Sequence, residues 1–362
     1  MIAGGGLAAC LAALAMARHR PEVPLLIVEE AETFGGEGVH HFPVEELGEG
    51  GAALVEPVGL RRWPGFHVVF PGFRRNLKAE WAGFAAADLH RLMIGTLAAR
   101  QYRLGTKVVA VREDALVLDG GEEIRAEGAI DARGAASLSA LEPIHRVQLE
   151  RVVRLKAPHR LDRPVLVDAS VDQAGGLRFV QCLPLGEDRL MVADVCVSER
   201  SQPDEGAGAR IDAYLAARGW AKKRTEQVST RVRPLPTGGD FAAFWRFGGA
   251  RVAKLGLRGG FINPATARTV GDAVRTALLL AEQRDFSGAA LHDAVEAEAK
   301  ATWKERELQR AIPAAIAAAS PEDRRAVLAR LYDADPGLIR RLHADTLGLF
   351  DRRRVRKALR AG

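Results

Sequence analysis

Glycines and one acid near the N-terminus have the types and spacing of a dinucleotide-binding turn. Gly4, Gly6 and Ala9 form a G-x-G-x-x-A pattern in front of an apolar, helical repeat. Gly4 permits a tight turn, Gly6 lets the backbone approach a pyrophosphate, and a small residue at Ala9 lets helix and strand pack closely. Glu29 follows an apolar run about 20 residues further on, where an acid can bond a ribose hydroxyl. Because these features share one βαβ register, they favour a dinucleotide site over a glycine-rich turn that merely opens a helix.

Two later stretches have residues suited to the same kind of ligand. Asp131–Gly134 ends a predicted strand in Asp and then Gly, as in the strand that returns to a cofactor sheet. Arg258–Ala267 is a glycine-containing loop in front of a helix that opens at Thr269. A glycine loop before a helix N-terminus is a second geometry that binds anions. Both stretches are therefore expected at the cofactor.

The composition indicates a globular protein of the reduced cytoplasm. The chain has 362 residues, 48% of them hydrophobic, which suits two closely joined domains with a sizeable core. No apolar run reaches the roughly 20 residues of a membrane span, and we expect no signal peptide. The cysteines show no paired metal spacing, and the adjacent His40 and His41 should point to opposite faces of an extended segment, so we predict no metal site. A net charge of +6 suits an anionic membrane surface, nucleic acid or neither.

The elements that must position these residues follow an α/β pattern. So few residues precede the first glycine that we expect a short first strand. Proline-bounded Trp63–Pro71 predicts a strand, Trp81–Arg100 a helix, and Lys107–Val111 with Ala115–Leu118 a small hairpin. Residues 147–240 predict an antiparallel sheet, and the chain from about residue 287 is expected to be helical. Within that sheet we expect strands at Val147–Leu155, Val165–Val167, Leu177–Leu183 and Leu190–Val197.

Short motifs along nearly the whole chain occur in an order that carries a family resemblance. They include Gly4–Ala8, Trp63–Phe66, Ile130–Gly134, Asp168–Gln173, Arg178–Val180, Leu183–Leu185 and Gly256–Thr266. No single motif is specific, but the ordered set resembles the lycopene cyclase family of flavoproteins, and within it the bacterial lycopene β-cyclases. The resemblance implies an α/β fold with an FAD/NAD(P)-binding Rossmann-type domain of residues 1–146 and 241–285. A β-rich substrate domain of residues 147–240 and a helical C-terminal region of residues 286–362 complete it.

The resemblance also implies a cofactor and the residues that bind it. Family members bind FAD at the first glycine motif, and reduced flavin, supplied from NAD(P)H, is required although no electrons remain in the product. The positions that match the family's cofactor-binding segments are Gly4, Gly6, Leu7, Ala8, Glu29, Asp131, Arg133, Gly134, Gly259, Gly260, Asn263 and Pro264.

The implied reaction is the cyclisation of an acyclic carotenoid, lycopene. A proton adds to the terminal double bond of a ψ end, the cation closes a six-membered ring, and loss of a proton leaves a β-ionone ring. Such chemistry needs a carboxylic acid in an apolar pocket, where desolvation raises its pKa. The family's Ile-Glu-Asp-Thr pattern reads Val192-Ala193-Asp194-Val195 here. Asp194 is therefore the expected proton donor, with Glu226 as a secondary acid.

The missing glutamate at position 193 keeps two alternatives open. The same fold would serve an FAD-dependent oxidoreductase or hydroxylase, or a non-catalytic flavin- or carotenoid-binding homologue. A hydrocarbon substrate predicts a cytoplasmic protein peripherally associated with the inner membrane. The basic segment Arg352–Arg360 is the expected docking element, and a solvated helical face is its alternative. We expect no nucleic-acid partner, and the oligomeric state stays open.

Overall fold

The computed structural model describes residues 1–135, 138–249 and 251–360. They form a mixed α/β fold around two main sheets. The strands, in chain order, are β1 (Ile2–Ala3), β2 (Ile27–Val28), β3 (Val39–Pro43), β4 (Arg61–Trp63), β5 (Phe66–Phe70), β6 (Phe73–Leu77), β7 (Trp81–Ala85), β8 (Tyr102–Arg103), β9 (Val108–Val111), β10 (Ala115–Leu118), β11 (Glu123–Arg125), β12 (Ile130–Asp131), β13 (Leu141–Leu155), β14 (Val165–Asp168), β15 (Leu177–Pro184), β16 (Arg189–Ser198), β17 (Lys222–Gly239) and β18 (Ala253–Lys254).

The helices lie between and after these strands. In chain order they are α1 (Leu7–His19), α2 (Gly51–Val55), α3 (Ala86–Thr96), α4 (Ala207–Ala217), α5 (Phe241–Arg246), α6 (Val270–Ala281), α7 (Gly288–Glu305), α8 (Glu307–Ala318), α9 (Arg324–Asp333), α10 (Pro336–Ala344) and α11 (Leu349–Arg360). No described helix is both long and apolar enough to cross a membrane.

The first main sheet is the Rossmann-type one, parallel throughout, with strand order β18-β12-β1-β2-β8. Strand β1, Ile2–Ala3, lies at the centre of this sheet between β12 and β2. Helix α1 packs against α6. Its residues from Ala9 to Met16 are all buried, so both helices belong to the core of this half. Because the carboxyl ends of parallel strands share one edge, the turns after β1 and β12 meet there.

The second main sheet has the strand order β17-β13-β16-β15-β14-β5-β6 and is antiparallel except where β14 pairs with β5. Its edge strand β6 and the adjacent β5 come from residues 66–77, which the resemblance placed in the cofactor domain. Strand β13 begins at Leu141, before the expected boundary at residue 147. The two halves of the fold are thus interleaved more than the motif order indicated, because strand pairing between distant segments leaves no local pattern.

The two faces of this sheet pack against different helices. Along β16, Met191, Ala193 and Val195 lie in a buried cluster with residues of α8, α9 and α10. Leu190 and Val192 lie in another cluster with residues of α4. This alternation follows from the two-residue period of a strand. Residues at neighbouring positions of β16 therefore face separate environments.

Several predicted elements are confirmed and one is wrong at its start. The predicted hairpin is formed by β9 and β10, which pair antiparallel. Strand β5 buries Val68 and Phe70 and leaves Val69 between them less buried. The helix predicted over Trp81–Arg100 begins only at Ala86, because Trp81–Ala85 pairs with both β3 and β4 as a central strand. A strand buried on both faces loses its alternation and mimics a helical apolar run.

Candidate cofactor cleft and substrate cavity

The turn between β1 and α1 forms the floor of a cleft. Gly4 has a φ of 98°, and a Cβ added there would lie 2.6 Å from the carbonyl oxygen of Ala132, so glycine is required. Gly6 has a φ of −69°, and a Cβ added there would meet nothing within 4 Å. Helix α1 has no side-chain N-cap and no acid in its first turn. Its first N–H groups are thus available to an anion.

Glu29 follows β2 at the wall of this cleft. Its carboxylate accepts a hydrogen bond from the N–H of Gly5 and another, at 2.8 Å, from the N–H of Ala31. The carboxylate is thereby fixed beside the glycine turn. This is the position that a ribose-binding acid occupies in a dinucleotide site.

Asp131, at the end of β12, orders one wall of the cleft. It accepts hydrogen bonds at 2.8–2.9 Å from the guanidinium of Arg133 and at 2.8 Å from that of Arg258. Burial opposes its ionisation, but the bonds from Arg133 and the charge of Arg258 outweigh burial and hold the pKa of Asp131 below its usual value. Asp131 is fully buried and fixes Arg133, which itself lines the cleft.

The cleft encloses about 540 Å³, and most of the expected cofactor residues line it. Those that do are Gly4, Gly6, Leu7, Ala8, Glu29, Arg133 and Gly134. Asp131, Gly259, Gly260, Asn263 and Pro264 do not line it. The loop after β18 turns so that Gly256 and Leu257 face the cleft, whereas Gly259 packs under Lys254 and accepts a bond from Trp245 Nε1 at 3.2 Å.

A second, apolar cavity of about 70 Å³ lies between the antiparallel sheet and the C-terminal helices. The sheet side is formed by Leu166, Val167, Leu177, Phe179 and Val197 and the helix side by Ile312, Ile316, Leu328, Tyr332 and His343. Pro264, expected at the cofactor, lines this cavity with its neighbours 265–267. No carboxylate of the described residues lines it.

His40 and His41 line the two different spaces, as neighbours on a strand should. The Nε2 atom of His40 lies 3.0 Å from the carbonyl oxygen of Gly35, and His40 lines the cleft. Nδ1 of His41 accepts a bond of 3.2 Å from Trp81 Nε1, and His41 lines the apolar cavity. Burial, and then the charge of Arg231, lowers the pKa of His40 to about 3, and burial holds that of His41 well below its usual value. Both rings are neutral at neutral pH.

Arginines that were not among the predicted site residues form the junction between cleft and cavity. Arg231 and Arg233 of β17 line the cleft. Arg146 of β13 lines the apolar cavity, and all three, with Arg268, line the small space between the two. Arg146 and Arg233 are directly opposed in the β13–β17 ladder. The two-residue spacing of Arg231 and Arg233 within a polar stretch was the one signal that could have found them.

Glu150 is a buried acid that contacts this junction through Arg231. It is 1% exposed and accepts bonds from the N–H of Val39 at 2.9 Å and from Nε2 of Gln148 at 3.2 Å. It also forms an ion pair with Arg231. Gly38 makes this approach possible, since a Cβ there would lie 2.5 Å from a carboxylate oxygen of Glu150. Glu150 therefore orients Arg231 and the start of β3.

Comparison with known protein families shows to which family this chain belongs. The model of the lycopene cyclase protein family matches residues 1–359. This chain belongs to the lycopene cyclase family. It is 30% identical over 357 residues to a lycopene β-cyclase of Pantoea ananas, with 98% of this chain and 93% of that protein covered. It is 28% identical to a lycopene β-cyclase of a Paracoccus species, with 98% and 92% covered. The enzyme family predicted from the ordered motifs is confirmed.

Solved structures show how the fold of this lycopene cyclase family member relates to other proteins. A geranylgeranyl bacteriochlorophyll reductase-like protein from Thermoplasma acidophilum has a TM-score of 0.68 at 14% identity, covering 99% of this chain and 95% of that one. A probable FAD-dependent monooxygenase from Pseudomonas aeruginosa has a TM-score of 0.60 at 20% identity, covering 92% and 98%. At such identities the likeness concerns the fold alone, which it confirms.

Asp194, the acid expected to donate the proton, lies on the face of β16 that packs on α4. Its carboxylate pairs with Arg210 at 2.8 Å and with the buried Arg178 at 3.4 Å. It lines a separate polar recess together with Asp204 and Arg200. The apolar surroundings expected from Val192 and Val195 are thus corrected, because two arginines surround the carboxylate instead.

Glu226, the expected secondary acid, lies towards the other end of β17. It accepts bonds from Arg154 at 2.8 Å and Arg189 at 2.7 Å. These two hydrogen bonds lower the pKa of Glu226 to about 2. It lines neither the cleft nor the apolar cavity. The structure therefore does not bring the two expected acids together.

Proposed function

We propose that this protein is a flavin-dependent lycopene β-cyclase, which binds FAD in the cleft and a carotenoid ψ end in the apolar cavity. The observation that carries the proposal is the meeting of the two spaces at one junction. Arg146 lines the apolar cavity and the connecting space, and Arg231 and Arg233 line the connecting space and the cleft. A cofactor and a hydrocarbon held in these spaces would come together at that point.

The residues of the cleft fit FAD. The uncapped N-terminus of α1 and the open side of Gly6 provide a place for the pyrophosphate, and Glu29 is fixed where it can accept from a ribose hydroxyl. Arg133, held by Asp131, adds a positive charge to the same wall. When bound and reduced by NAD(P)H, FAD supplies negative charge close to a developing cation.

The chain's own contribution to ring closure is a space lined largely by apolar and aromatic side chains. Trp81, Phe179 and Tyr332 line the cavity, and aromatic faces stabilise cations. An apolar cavity that binds benzene measures about 150 Å³, so a cavity of about 70 Å³ is too small for a six-membered ring. The cavity must therefore enlarge before the end group of a carotenoid can enter.

The acid that the family has at position 193 is missing here, and this supports a second candidate function. Ala193 is buried in the apolar cluster where the family has a glutamate, and no carboxylate of the described residues reaches the cavity. This favours, as a second candidate, a flavin- and carotenoid-binding homologue without cyclase activity. A hydroxylase on the same fold would be distinguished by its product, because hydroxylation adds one oxygen to the mass of lycopene and cyclisation adds nothing.

Peripheral association with the cytoplasmic face of the inner membrane forms part of the proposal. Helix α11 packs on α8 and α9, which cover the apolar cavity. Its start exposes Leu349 and Phe350, 80% and 79% accessible, and its outer face exposes a set of basic residues. They are Arg353, Arg354, Arg356 and Lys357. An anionic bilayer that holds the hydrocarbon substrate fits this surface.

The test is an anaerobic assay of the purified protein with FAD, NADPH and lycopene in anionic vesicles. The proposal predicts bound FAD and a product of unchanged mass that carries β-ionone rings. FAD and lycopene binding without any product would instead establish the binding homologue. A product heavier by one oxygen when air is admitted would establish the hydroxylase.

A further inference from the structure

The junction between cleft and cavity holds more positive charge than the described residues neutralise. Arg231 is paired with Glu150, and Arg268 with Glu46 at 3.0 Å. Arg146 is 8% exposed, and its bonded partners are neutral, namely Gln181 Oε1 at 2.7 Å and the carbonyl oxygen of Thr266 at 3.0 Å.

Arg233 is in the same situation. Its guanidinium donates to the carbonyl oxygen of Ala267 at 2.6 Å. Among the described residues, neither Arg146 nor Arg233 has a carboxylate within ion-pair distance. In the part of the chain that the structure describes, these two guanidiniums thus remain without an ion-pair partner at the place where the proposed cofactor and substrate meet.

The position of these two arginines in the sheet is unfavourable in the ligand-free protein. Arg146 and Arg233 are directly opposed on antiparallel strands, an arrangement that destabilises a sheet when the charges are alike. Burial, and then the charge of Arg231, lowers the pKa of Arg146 to about 9 and holds that of Arg233 well below its usual value. An anion bound between the two guanidinium groups would offset this repulsion.

Unpaired donors show what kind of group is missing. The Nε atoms of Arg146 and Arg231 are buried without a hydrogen-bond partner. Guanidinium groups donate and never accept, so the missing group is an acceptor, and the uncompensated charges require it to be anionic. The histidines at the junction are neutral and add no negative charge.

We infer that Arg146, Arg231 and Arg233 form an anion-recognition cluster that binds the reduced, anionic flavin ring in preference to the oxidised, neutral one. The inference rests on the proposed function, since it requires FAD in the cleft. Transfer of a hydride from NAD(P)H to FAD leaves NAD(P)⁺ and a reduced ring with one negative charge, so only the reduced form satisfies the cluster. The cluster thereby keeps that charge beside the apolar cavity, where a substrate cation would develop.

The experiment is an anaerobic redox titration of the FAD-loaded protein, together with the dissociation constants of oxidised and reduced FAD. Variants Arg233→Gln and Arg146→Gln are compared with the parent and with Arg233→Lys, which keeps the charge. Arg74→Gln is the matched control, because Arg74 is an exposed arginine on β6 at the opposite edge of the same sheet.

The cluster predicts that each glutamine variant weakens the binding of reduced FAD at least tenfold more than that of oxidised FAD. The midpoint potential then becomes more negative by at least about 30 mV, the equivalent of a tenfold change for a two-electron couple. Arg233→Lys should retain most of the parent potential, and Arg74→Gln all of it. Removal of the opposed like charge should also raise, or leave unchanged, the melting temperature of ligand-free Arg233→Gln.

Other outcomes would overturn the inference in distinguishable ways. If the glutamine variants weaken oxidised and reduced FAD equally, the arginines hold the pyrophosphate, and ADP should then compete less well in the variants. If the potential is unchanged while lycopene is still cyclised, the inference fails and the proposed function stands. A parent that binds no FAD in either state would remove both.

Discussion

Glu150 and Ala193 are directly opposed in the ladder between β13 and β16. Both are buried, at 1% and 0% exposure. The acid that the family resemblance indicated at position 193 is thus absent, while Glu150 occupies the directly opposed position of the neighbouring strand. Glu150 is bound to Arg231 and the backbone of Val39, so it lies on the junction side of the sheet.

This relationship determines what Ala193→Glu will do. The new carboxylate would be buried in an apolar cluster beside the charge of Glu150, and we expect a loss of roughly 2–4 kcal/mol in the free energy of unfolding at pH 7. Burial and a like charge raise a carboxyl pKa in the folded state, so the loss should diminish as the pH falls towards the unfolded value of about 4.3. Urea unfolding between pH 4 and pH 8 measures it.

The double variant Ala193→Glu/Glu150→Gln is the control for charge repulsion. Glu150→Gln is measured as well, because on its own it breaks the buried ion pair with Arg231 and destabilises the fold. The double variant should lose about 1–2 kcal/mol less than the sum of the two single losses, the usual size of coupling between residues in contact. If the two single losses simply add, the two positions do not interact. The single variant Ala193→Glu also tests the family's acid directly when it is assayed for cyclisation. A gain in turnover over an inactive parent would show that position 193 is where the proton donor belongs.

The two glycines of the β1–α1 turn should respond differently to substitution. Gly6→Val adds a side chain to open space at an extended φ, so the free energy of unfolding should change by less than about 0.5 kcal/mol, while FAD affinity falls at least tenfold. Gly4→Ala meets a positive φ and the carbonyl oxygen of Ala132 and should cost about 2–4 kcal/mol. Thermal unfolding and FAD fluorescence titration separate the two effects. Parent-like FAD affinity in folded Gly6→Val would place the pyrophosphate elsewhere.

The fold was predictable where local patterns set it. The glycine turn, the apolar α1 and the following strand share one register in sequence, and they form one βαβ unit in the structure. The pairing of β5 with β14 brings together segments almost a hundred residues apart, and no periodicity encodes such a contact. Domain boundaries that depend on it were therefore out of reach.

The candidate site was predictable only at its cofactor end. Gly6 and Glu29 belong to a short motif, whereas Arg146 and Arg233 become neighbours only through the β13–β17 ladder. Asp194 shows the reverse case, because its apolar neighbours in sequence, Val192 and Val195, indicated a buried acid in apolar surroundings. Its partners, Arg178 and Arg210, come from a neighbouring strand and from α4, and only the folded chain reveals them.

Asp194→Asn should therefore affect stability more than catalysis. The substitution removes one counter-charge of the buried Arg178, which among the described residues then keeps only Asp204 as a carboxylate partner. We expect a loss of roughly 1–3 kcal/mol in the free energy of unfolding. FAD affinity and turnover per folded molecule should stay near those of the parent, since Asp194 lines the recess on the α4 side. Loss of turnover with unchanged stability would instead support the proton-donor role indicated by the family resemblance.

Glu226→Gln should have an effect that depends on pH. Hydrogen bonds from Arg154 and Arg189 lower the folded pKa of Glu226 to about 2, below the unfolded value of about 4.3. The ionised group therefore stabilises the fold fully above the unfolded pKa, and this contribution is lost as the pH falls through about 2. The difference in unfolding free energy between parent and Glu226→Gln should be constant from pH 6 to 8 and shrink at lower pH. A difference that grows on acidification would contradict the assignment.

Helix α11 should bind anionic membranes through two separable contributions. Its basic face attracts anionic lipid with roughly 1 kcal/mol per residue near the surface, and this attraction is screened over about 8–10 Å at ordinary ionic strength. Arg353→Gln/Arg354→Gln should therefore weaken binding to anionic vesicles by at least tenfold at low salt and much less at high salt. Leu349→Ser/Phe350→Ser removes exposed apolar surface and should weaken binding at both salt concentrations. Both α11 variants should fold normally, because Val355, 1% exposed, anchors the helix.

The charge-matched control is Arg61→Gln/Arg74→Gln, on exposed positions of β4 and β6. It should bind anionic vesicles as the parent does. Vesicle co-sedimentation measures all three, and equal losses in the control and the α11 variants would show that net charge alone, not this helix, directs the protein to the bilayer.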